Sequence, residues 1–270
     1  MKLGAAIVLL AVAPVFAQEP ARPTPLTPGS EFQSPEARQM QFDDFANPGL
    51  LWVERGEKLW SQPRGETNKS CASCHGDARQ SMKTAAARHP RYYEKLGVLD
   101  LEGRIKACVV QNQKAPDLPW ESQDLLSLSA YVARQAKGQH IVPAAASVIP
   151  AAATQPSAGT QSPLQAAYER GRRLYFERQG QLNLACNNCH DANWGKTLLA
   201  ERISQGHPGD WPAYRIEWQT LGSLQRRLRA CYFGVRAELP PLGSPDLVAL
   251  EVYLAERAKG LELSPPGVRR

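Results

Sequence analysis

Methionine is nearly absent from this chain: 270 residues hold only Met1, Met40 and Met82. Any soft sulfur ligand or sulfur nucleophile must therefore come from its six cysteines. Long apolar runs are scarce too. After the stretch from Leu3 to Phe16, no segment approaches the roughly 18 apolar residues of a spanning helix, so no membrane span is expected and the mature chain should be soluble. Charge of neither sign dominates, with 32 Lys and Arg against 26 Asp and Glu. The net charge of +6 becomes +5 once Lys2 is lost. That mild excess suits an acidic partner or an anionic substrate, and nothing points to nucleic acid. The Leu3–Phe16 run follows Lys2 and ends at small Ala17, with Val15 three positions before the cleavage point. Residues 1–17 thus read as a signal peptide, too short for a span.

Four of the cysteines fall in two matching motifs, Cys71-Ala72-Ser73-Cys74-His75 and Cys186-Asn187-Asn188-Cys189-His190. Two thiols three residues apart reach the two vinyl-derived positions of one haem, and the adjacent histidine turns its imidazole onto the iron. A zinc ribbon would pair its CxxC motifs over a short spacing, whereas these lie 115 residues apart and each is followed at once by His. A disulfide framework is compatible with six cysteines but leaves both histidines unexplained. The expectation is two covalently attached haem c groups, through Cys71 and Cys74 and through Cys186 and Cys189, with His75 and His190 as axial ligands. Such haem is installed outside the cytoplasm, which with the leader places the protein in the periplasm.

Superposing the motifs superposes much else. Glu54-Arg55-Gly56-Glu57-Lys58-Leu59-Trp60 matches Glu169-Arg170-Gly171-Arg172-Arg173-Leu174-Tyr175 at the same offset of 115. Downstream, Ser122-Gln123-Asp124-Leu125 matches Ser244-Pro245-Asp246-Leu247, and Ala136-Lys137-Gly138 matches Ala258-Lys259-Gly260, both at 122. The second repeat therefore holds a net insertion of seven residues. Ser122 and Ser244 are N-cap candidates, Pro245 suits a first helical turn, and Gly138 and Gly260 suit stops. Leu247, Leu250, Leu254 and Ala258 form a helical stripe, matched by Leu125, Leu128 and Val132. Each repeat reads as helix, haem motif, helix, helix.

This pattern resembles the class I cytochrome c fold. That likeness implies that Gly56 and Gly171 let two helices cross closely, with Trp60 on Tyr131 and Tyr175 on Tyr253. The expected fold is mainly α, a tandem duplication of two class I cytochrome c-like haem domains joined by a long extended linker, with an irregular N-terminal extension. The boundaries are 18–48 for the extension, 49–141 for the first domain, 142–164 for the linker, 165–262 for the second domain and 263–270 for a tail.

The sixth iron position is the open question. Met82 lies only seven residues past His75, and the second repeat has no methionine. Two residue types recur in both repeats: His89 and His207, each followed by Pro, and Cys108 and Cys231. Leu101, Ile105 and Cys108 share a helical face, as do Leu224, Leu228 and Cys231. Arg104 and Arg227 lie one turn before their cysteines. The pattern favours thiolate ligation by Cys108 and Cys231. Bis-His ligation, a buried thiol beside a snorkelling arginine and a Cys108–Cys231 disulfide are the alternatives. Cys231 has the more basic setting, with Arg226, Arg227, Arg229 and Arg236 against Arg104 and Lys106 near Cys108. Positive charge favours thiolate and would also hold a small dianion.

Together these residues resemble the SoxA family, haem c subunits of the bacterial sulfur-oxidation system. The likeness spans nearly the whole mature chain. It includes Glu31-Phe32-Gln33-Ser34-Pro35-Glu36, Gln41-Phe42-Asp43-Asp44, Asn47-Pro48-Gly49, Leu51-Trp52, the segment Lys69 to Gly76, and Arg226-Arg227-Leu228-Arg229-Ala230-Cys231. The resemblance implies two haems, ligated by His75 with Cys108 and by His190 with Cys231. It implies a persulfide on Cys231, substrate contact by Arg227, and chemistry at the second haem. It further implies a heterodimer with SoxX, a mono-haem cytochrome, for which the long N-terminal segment is available as a wrap. Thiosulfate would be joined to a cysteine of the SoxYZ carrier, making the protein an L-cysteine S-thiosulfotransferase subunit, with electrons passing to a cytochrome c. A periplasmic di-haem electron carrier without bond-forming chemistry is the other reading.

Overall fold

The computed structural model describes residues 22–147 and 161–270. The expected leader, 1–17, and the middle of the expected linker lie outside the described residues.

The expected irregular extension contains a helix. Ser34 caps α1 (Pro35–Phe42) by accepting from the Ala37 amide at 3.2 Å, with Pro35 in the first turn. There follow α2 (Leu50–Ser61), the one-turn α3 (Cys71–His75), α4 (Ala78–Ser81), a hairpin of β1 (Arg91–Tyr93) and β2 (Gly97–Leu99), α5 (Leu101–Gln111) and α6 (Gln123–Arg134). The second half runs α7 (Pro163–Phe176), α8 (Cys186–His190), a short hairpin of β3 (Thr197–Leu198) and β4 (Glu201–Arg202), a second hairpin of β5 (Ala213–Arg215) and β6 (Thr220–Gly222), α9 (Leu224–Gly234), α10 (Pro245–Arg257) and β7 (Gly267–Arg269). Among the described residues no helix is long and apolar enough to cross a membrane.

In each half the helix before the haem motif crosses the last helix. A Cβ on Gly56 would lie 2.1 Å from the Ser127 carbonyl oxygen, and one on Gly171 would lie 1.9 Å from that of Ala249. Neither distance admits a methyl group, so only glycine permits either crossing. Around the crossings, Trp60 packs on Tyr131 with ring centroids 5.9 Å apart, and Tyr175 on Tyr253 at 5.1 Å. The expected stripes are buried: Leu125, Leu128 and Val132 on α6, and Leu247, Leu250, Leu254 and the following Ala258 at α10. Ser122 and Ser244 accept from the amides of Leu125 and Leu247 at 3.4 Å. The helices end at Arg134 and Arg257, and Gly138 and Gly260 then adopt left-handed φ of 80° and 90°.

Three expected boundaries are corrected. The linker's C-terminal end is helix, because Ser162 caps α7 and Pro163 opens it. Its N-terminal end, Ala144–Ser147, is a 3-10 turn. The expected tail, 263–270, contains β7, which pairs in parallel with β5 and has all three residues buried. The N-terminal extension, as far as it is described, packs on the second half of its own chain. The side-chain amide of buried Gln41 donates to Ser264 Oγ at 2.9 Å, and its oxygen accepts from Arg269 Nη1 at 2.6 Å. Asn47 donates to the Pro266 carbonyl at 2.9 Å, and Arg269 pairs with Asp210. A buried amide and a buried ion pair thus tie α1 to the sheet that holds β7, and neither segment carries a periodic apolar signal.

The halves meet through apolar and acidic contacts. Leu126 and Ala130 of α6 pack with Leu221 of β6, and Trp52 packs on Tyr214 at 6.0 Å. Beside them, Asp100 caps α5 and accepts from Gln225 of α9 at 2.9 Å.

Candidate active site

Each haem motif is a single helical turn held from both ends. Ser70 and Ser73 form a reciprocal capping box at α3, and Asn188 Oδ1 accepts from the Ala185 amide at 2.8 Å at α8. The residue after each histidine is pinned by the crossing aromatic. Trp60 Nε1 donates to the Gly76 carbonyl at 3.0 Å, and the Tyr175 hydroxyl donates to Asp191 at 2.9 Å. Asp191 is in turn ion-paired with Arg257, buried over the Tyr175 ring. The helix crossing and the motif are therefore one mechanical unit, so the fold sets the histidine's position.

His190 Nδ1 lies 2.7 Å from the Ser204 carbonyl. That contact fixes the tautomer with Nε2 free to face a metal. Cys231, on α9, lies within hydrogen-bonding reach of the His190 side chain, and its charge is felt at both Cys186 and Cys189. Four haem-competent groups thus converge in the second half. In the first half, Cys71 feels Cys108 in the same way, and Ile105 of α5 packs with Cys71 in one apolar cluster. The donor set fits haem c. It does not fit the rival assignments, because all six cysteines are unpaired and no group of three or more His, Cys, Asp or Glu among the described residues could hold a bare metal ion.

The histidine alternatives for the sixth ligand are disfavoured by geometry. Both nitrogens of His89 are engaged, Nδ1 with the Ala85 carbonyl at 2.7 Å and Nε2 with the Tyr93 hydroxyl at 2.8 Å. Burial pushes its pKa down to about 4. His207 follows Gly206, where a Cβ would sit 3.1 Å from His190 Cγ. With Ser204 bound to Nδ1, that segment lies on the side of His190 away from its free nitrogen, so His207 is misplaced for an opposite ligand. Nor are the two His-Pro pairs equivalent. Pro90 precedes β1 and Pro212 precedes β5, so Trp211, not His207, stands where His89 does.

Positive charge surrounds Cys231. Burial alone would raise the Cys231 thiol, but the Arg227 guanidinium, then His190 and Arg215, outweigh it and bring its pKa down to about 7. Burial instead raises the leading thiols of the two motifs, Cys186 to about 12 and Cys71 in the same direction. The arginine cluster is narrower than its sequence suggests. Arg226 turns away onto the Trp218 ring at 4.1 Å, facing Glu121 at 3.9 Å. Arg215, distant in sequence and outside any motif, takes its place near Cys231. In the first half, Arg104 stacks on the Tyr93 ring at 4.8 Å.

The crossing helices, the one-turn haem motifs and the imidazole with one nitrogen tied back define a c-type cytochrome. Residues 55–141 match the family described as SoxA/TsdA, cytochrome c domain, a domain that carries covalently bound haem c. The chain is 36% identical to the L-cysteine S-thiosulfotransferase subunit SoxA of Pseudaminobacter salicylatoxidans, over 88% of this chain and 79% of that protein. It is 32% identical to the same subunit from Rhodovulum sulfidophilum, over 89% and 79%. Among solved structures it matches SoxXA from P. pantotrophus with a TM-score of 0.81 and 30% identity, covering 91% of this chain and 87% of that one. The chain belongs to the SoxA family.

Proposed function

We propose that this protein is the SoxA subunit of a periplasmic L-cysteine S-thiosulfotransferase, exported by its leader 1–17. In this reading the two halves are duplicated haem c domains. Cys71 and Cys74 attach one haem and Cys186 and Cys189 the other, with axial pairs His75 and Cys108, and His190 and Cys231. The activity of the relatives supports the reaction, and the match to SoxXA supports a SoxX-like partner. The SoxYZ carrier and an electron-accepting cytochrome c complete the assembly that the reaction requires.

The coupling joins thiosulfate to a carrier thiol: one S–S bond forms, the thiol proton is released, and two electrons leave. When bound, haem supplies the one-electron acceptor that passes those electrons on. The chain's own residues do the rest. Cys231, with its pKa near neutrality, presents thiolate sulfur to the sulfane sulfur. Its attack displaces sulfite and leaves a persulfide on Cys231; loss of two electrons then joins a further thiosulfate to that persulfide, and the carrier thiolate attacks the sulfane sulfur, takes the –S–SO3⁻ group and releases the persulfide. Arg227 binds the sulfonate end by charge-assisted hydrogen bonds. The observation that carries this reading is the difference between the halves: in one, Arg227 and a second, buried arginine, Arg215, stand together at one carboxylate beside Cys231, while in the other the matching Arg104 lies on an aromatic ring. A di-haem electron carrier needs no such difference.

The test is thiosulfate-dependent reduction of cytochrome c by the complex with its SoxX-like partner and the carrier. Cys231→Ala should abolish it while both haems remain attached by intact mass. Full turnover in that variant would refute the assignment.

A further inference from the structure

The seven-residue insertion in the second half is localised by the structure. From His75 to Pro90, which leads into β1, the chain advances 15 residues; from His190 to Pro212, which leads into β5, it advances 22. The surplus lies in the segment that forms the β3–β4 hairpin, for which the first half has no counterpart. That hairpin brings one carboxylate, Glu201, to the arginines beside Cys231. Glu201 Oε1 accepts from Arg215 Nη2 at 3.0 Å, and its Oε2 lies 3.9 Å from Arg227 Nη2.

The two contacts are unequal. Arg215 is 4% exposed at its side chain, and its Nη2 also donates to Glu217 at 2.7 Å. It stacks on Trp218 at 4.9 Å as well. Glu201 is therefore anchored on a fixed, buried cation. Arg227 is 33% exposed and meets Glu201 only at the outer limit of an ion pair. One partner is locked and the other can leave. At the position corresponding to Arg215 in its strand, the first half has Tyr93, which holds Arg104 against its ring with no carboxylate between them. The acid and its anchor thus occur together, and only beside the cysteine proposed to do chemistry.

We propose that Glu201 is a specificity-determining positioning residue: an internal anion, anchored by Arg215, that occupies Arg227 in the empty site and yields it to an anionic substrate. This rests on the reading of Arg227 as the sulfonate contact. Substrate must compete with a tethered carboxylate for one guanidinium, which raises the affinity threshold for anions. It also returns Arg227 to rest when product leaves.

The experiment uses the haem-loaded complex with its partner, with thiosulfate as substrate and sulfate as an inert dianion. Two readings are taken, the KM for thiosulfate with kcat, and sulfate affinity by calorimetry on the oxidised complex. Glu201→Gln keeps an acceptor for Arg215 and should lower both the KM and the sulfate Kd by about threefold, the upper range for a partly exposed ion pair, with kcat little changed. Glu201→Asp, which keeps the charge, should behave as wild type. In an Arg227→Ala background, Glu201→Gln should change neither constant, since there is no cation left to compete for. An unchanged or raised KM in Glu201→Gln overturns the proposal. So does an equal gain in the Arg227→Ala background, which would mean direct repulsion, or an equal gain in Glu201→Asp, which would mean altered packing. If Arg227→Ala alone leaves thiosulfate and sulfate binding unchanged, the underlying role of Arg227 falls with it. If Arg227→Ala weakens both while Glu201→Gln does nothing, the proposal about Glu201 falls alone.

Discussion

Arg104 and Arg227 occupy the same place in their helices, one turn before a cysteine, yet their surroundings assign them different work. Arg104 stacks on the Tyr93 ring, whereas Arg227 favours the thiolate of Cys231. Loss of a charge-assisted contact costs about 2–3 kcal/mol, so Arg227→Ala should reduce thiosulfate turnover roughly 30- to 150-fold at about 1.4 kcal/mol per decade. Arg104→Ala should leave turnover within about threefold by the same conversion. Steady-state kinetics normalised to haem content compare the two; equal losses would place the chemistry elsewhere. The motif residues, Cys71, Cys74, His75 and their second-half counterparts, are legible in sequence because a haem-attachment motif has a fixed spacing within one helical turn. Glu201 and Arg215 are not legible. They lie 14 residues apart on two hairpins, and only strand placement brings them together at Arg227.

The helices were legible as elements and several strands were not, for a physical reason. A helix of 12 or 13 residues such as α6 or α10 carries its cap, its stripe and its stop within its own sequence. A three-residue strand such as β7 is defined by a partner about fifty residues away and has no period of its own. For that reason the final segment read as a tail and the first as irregular. The crossing glycines were legible as a repeated pattern, and their geometry makes a quantitative expectation. Gly171→Ala puts a methyl group into the Ala249 backbone and forces α7 and α10 apart. Overpacking of this kind costs about 1–3 kcal/mol or more, and Tyr175 would lose its hold on Asp191 behind His190. Thermal unfolding of the haem-loaded protein should show a drop of several degrees, by the usual relation of stability to midpoint. Alanine at exposed Gly234, where a Cβ meets nothing and the backbone is helical, should cause no such drop, so a fall confined to Gly171 is the diagnostic result.

Across the whole molecule, the contact between halves is partly built from carboxyl groups. Glu102 is buried, and its pKa is raised well above the ordinary value, first by burial and then by the charges of Asp100 and Glu121, against small opposing effects from Ser129 and Lys106. Glu251 is raised in the same way, by burial and by Asp100. A carboxyl whose folded pKa exceeds its unfolded one keeps its proton in the native state over a window where the unfolded chain has released it. Stability therefore falls as pH rises from the unfolded value near 4.5 through the folded one, by about 1.4 kcal/mol per pH unit for each proton held. Glu102→Gln mimics the protonated form, so it should match wild type near pH 5, exceed it near pH 8 and flatten the slope between. Denaturant midpoints across that range measure this, and an unchanged slope would mean the interface carries no such proton.

The central claim is that sulfur passes through Cys231 and not through its counterpart Cys108. Peptide mass analysis of the haem-loaded complex, taken during thiosulfate turnover and again after reductant, tests it most directly. The account predicts that the peptide carrying Cys231 gains the mass of one sulfur atom, that reductant removes it, and that the Cys108 peptide stays unmodified. An unmodified Cys231 throughout turnover, or sulfur found on Cys108 instead, would contradict it.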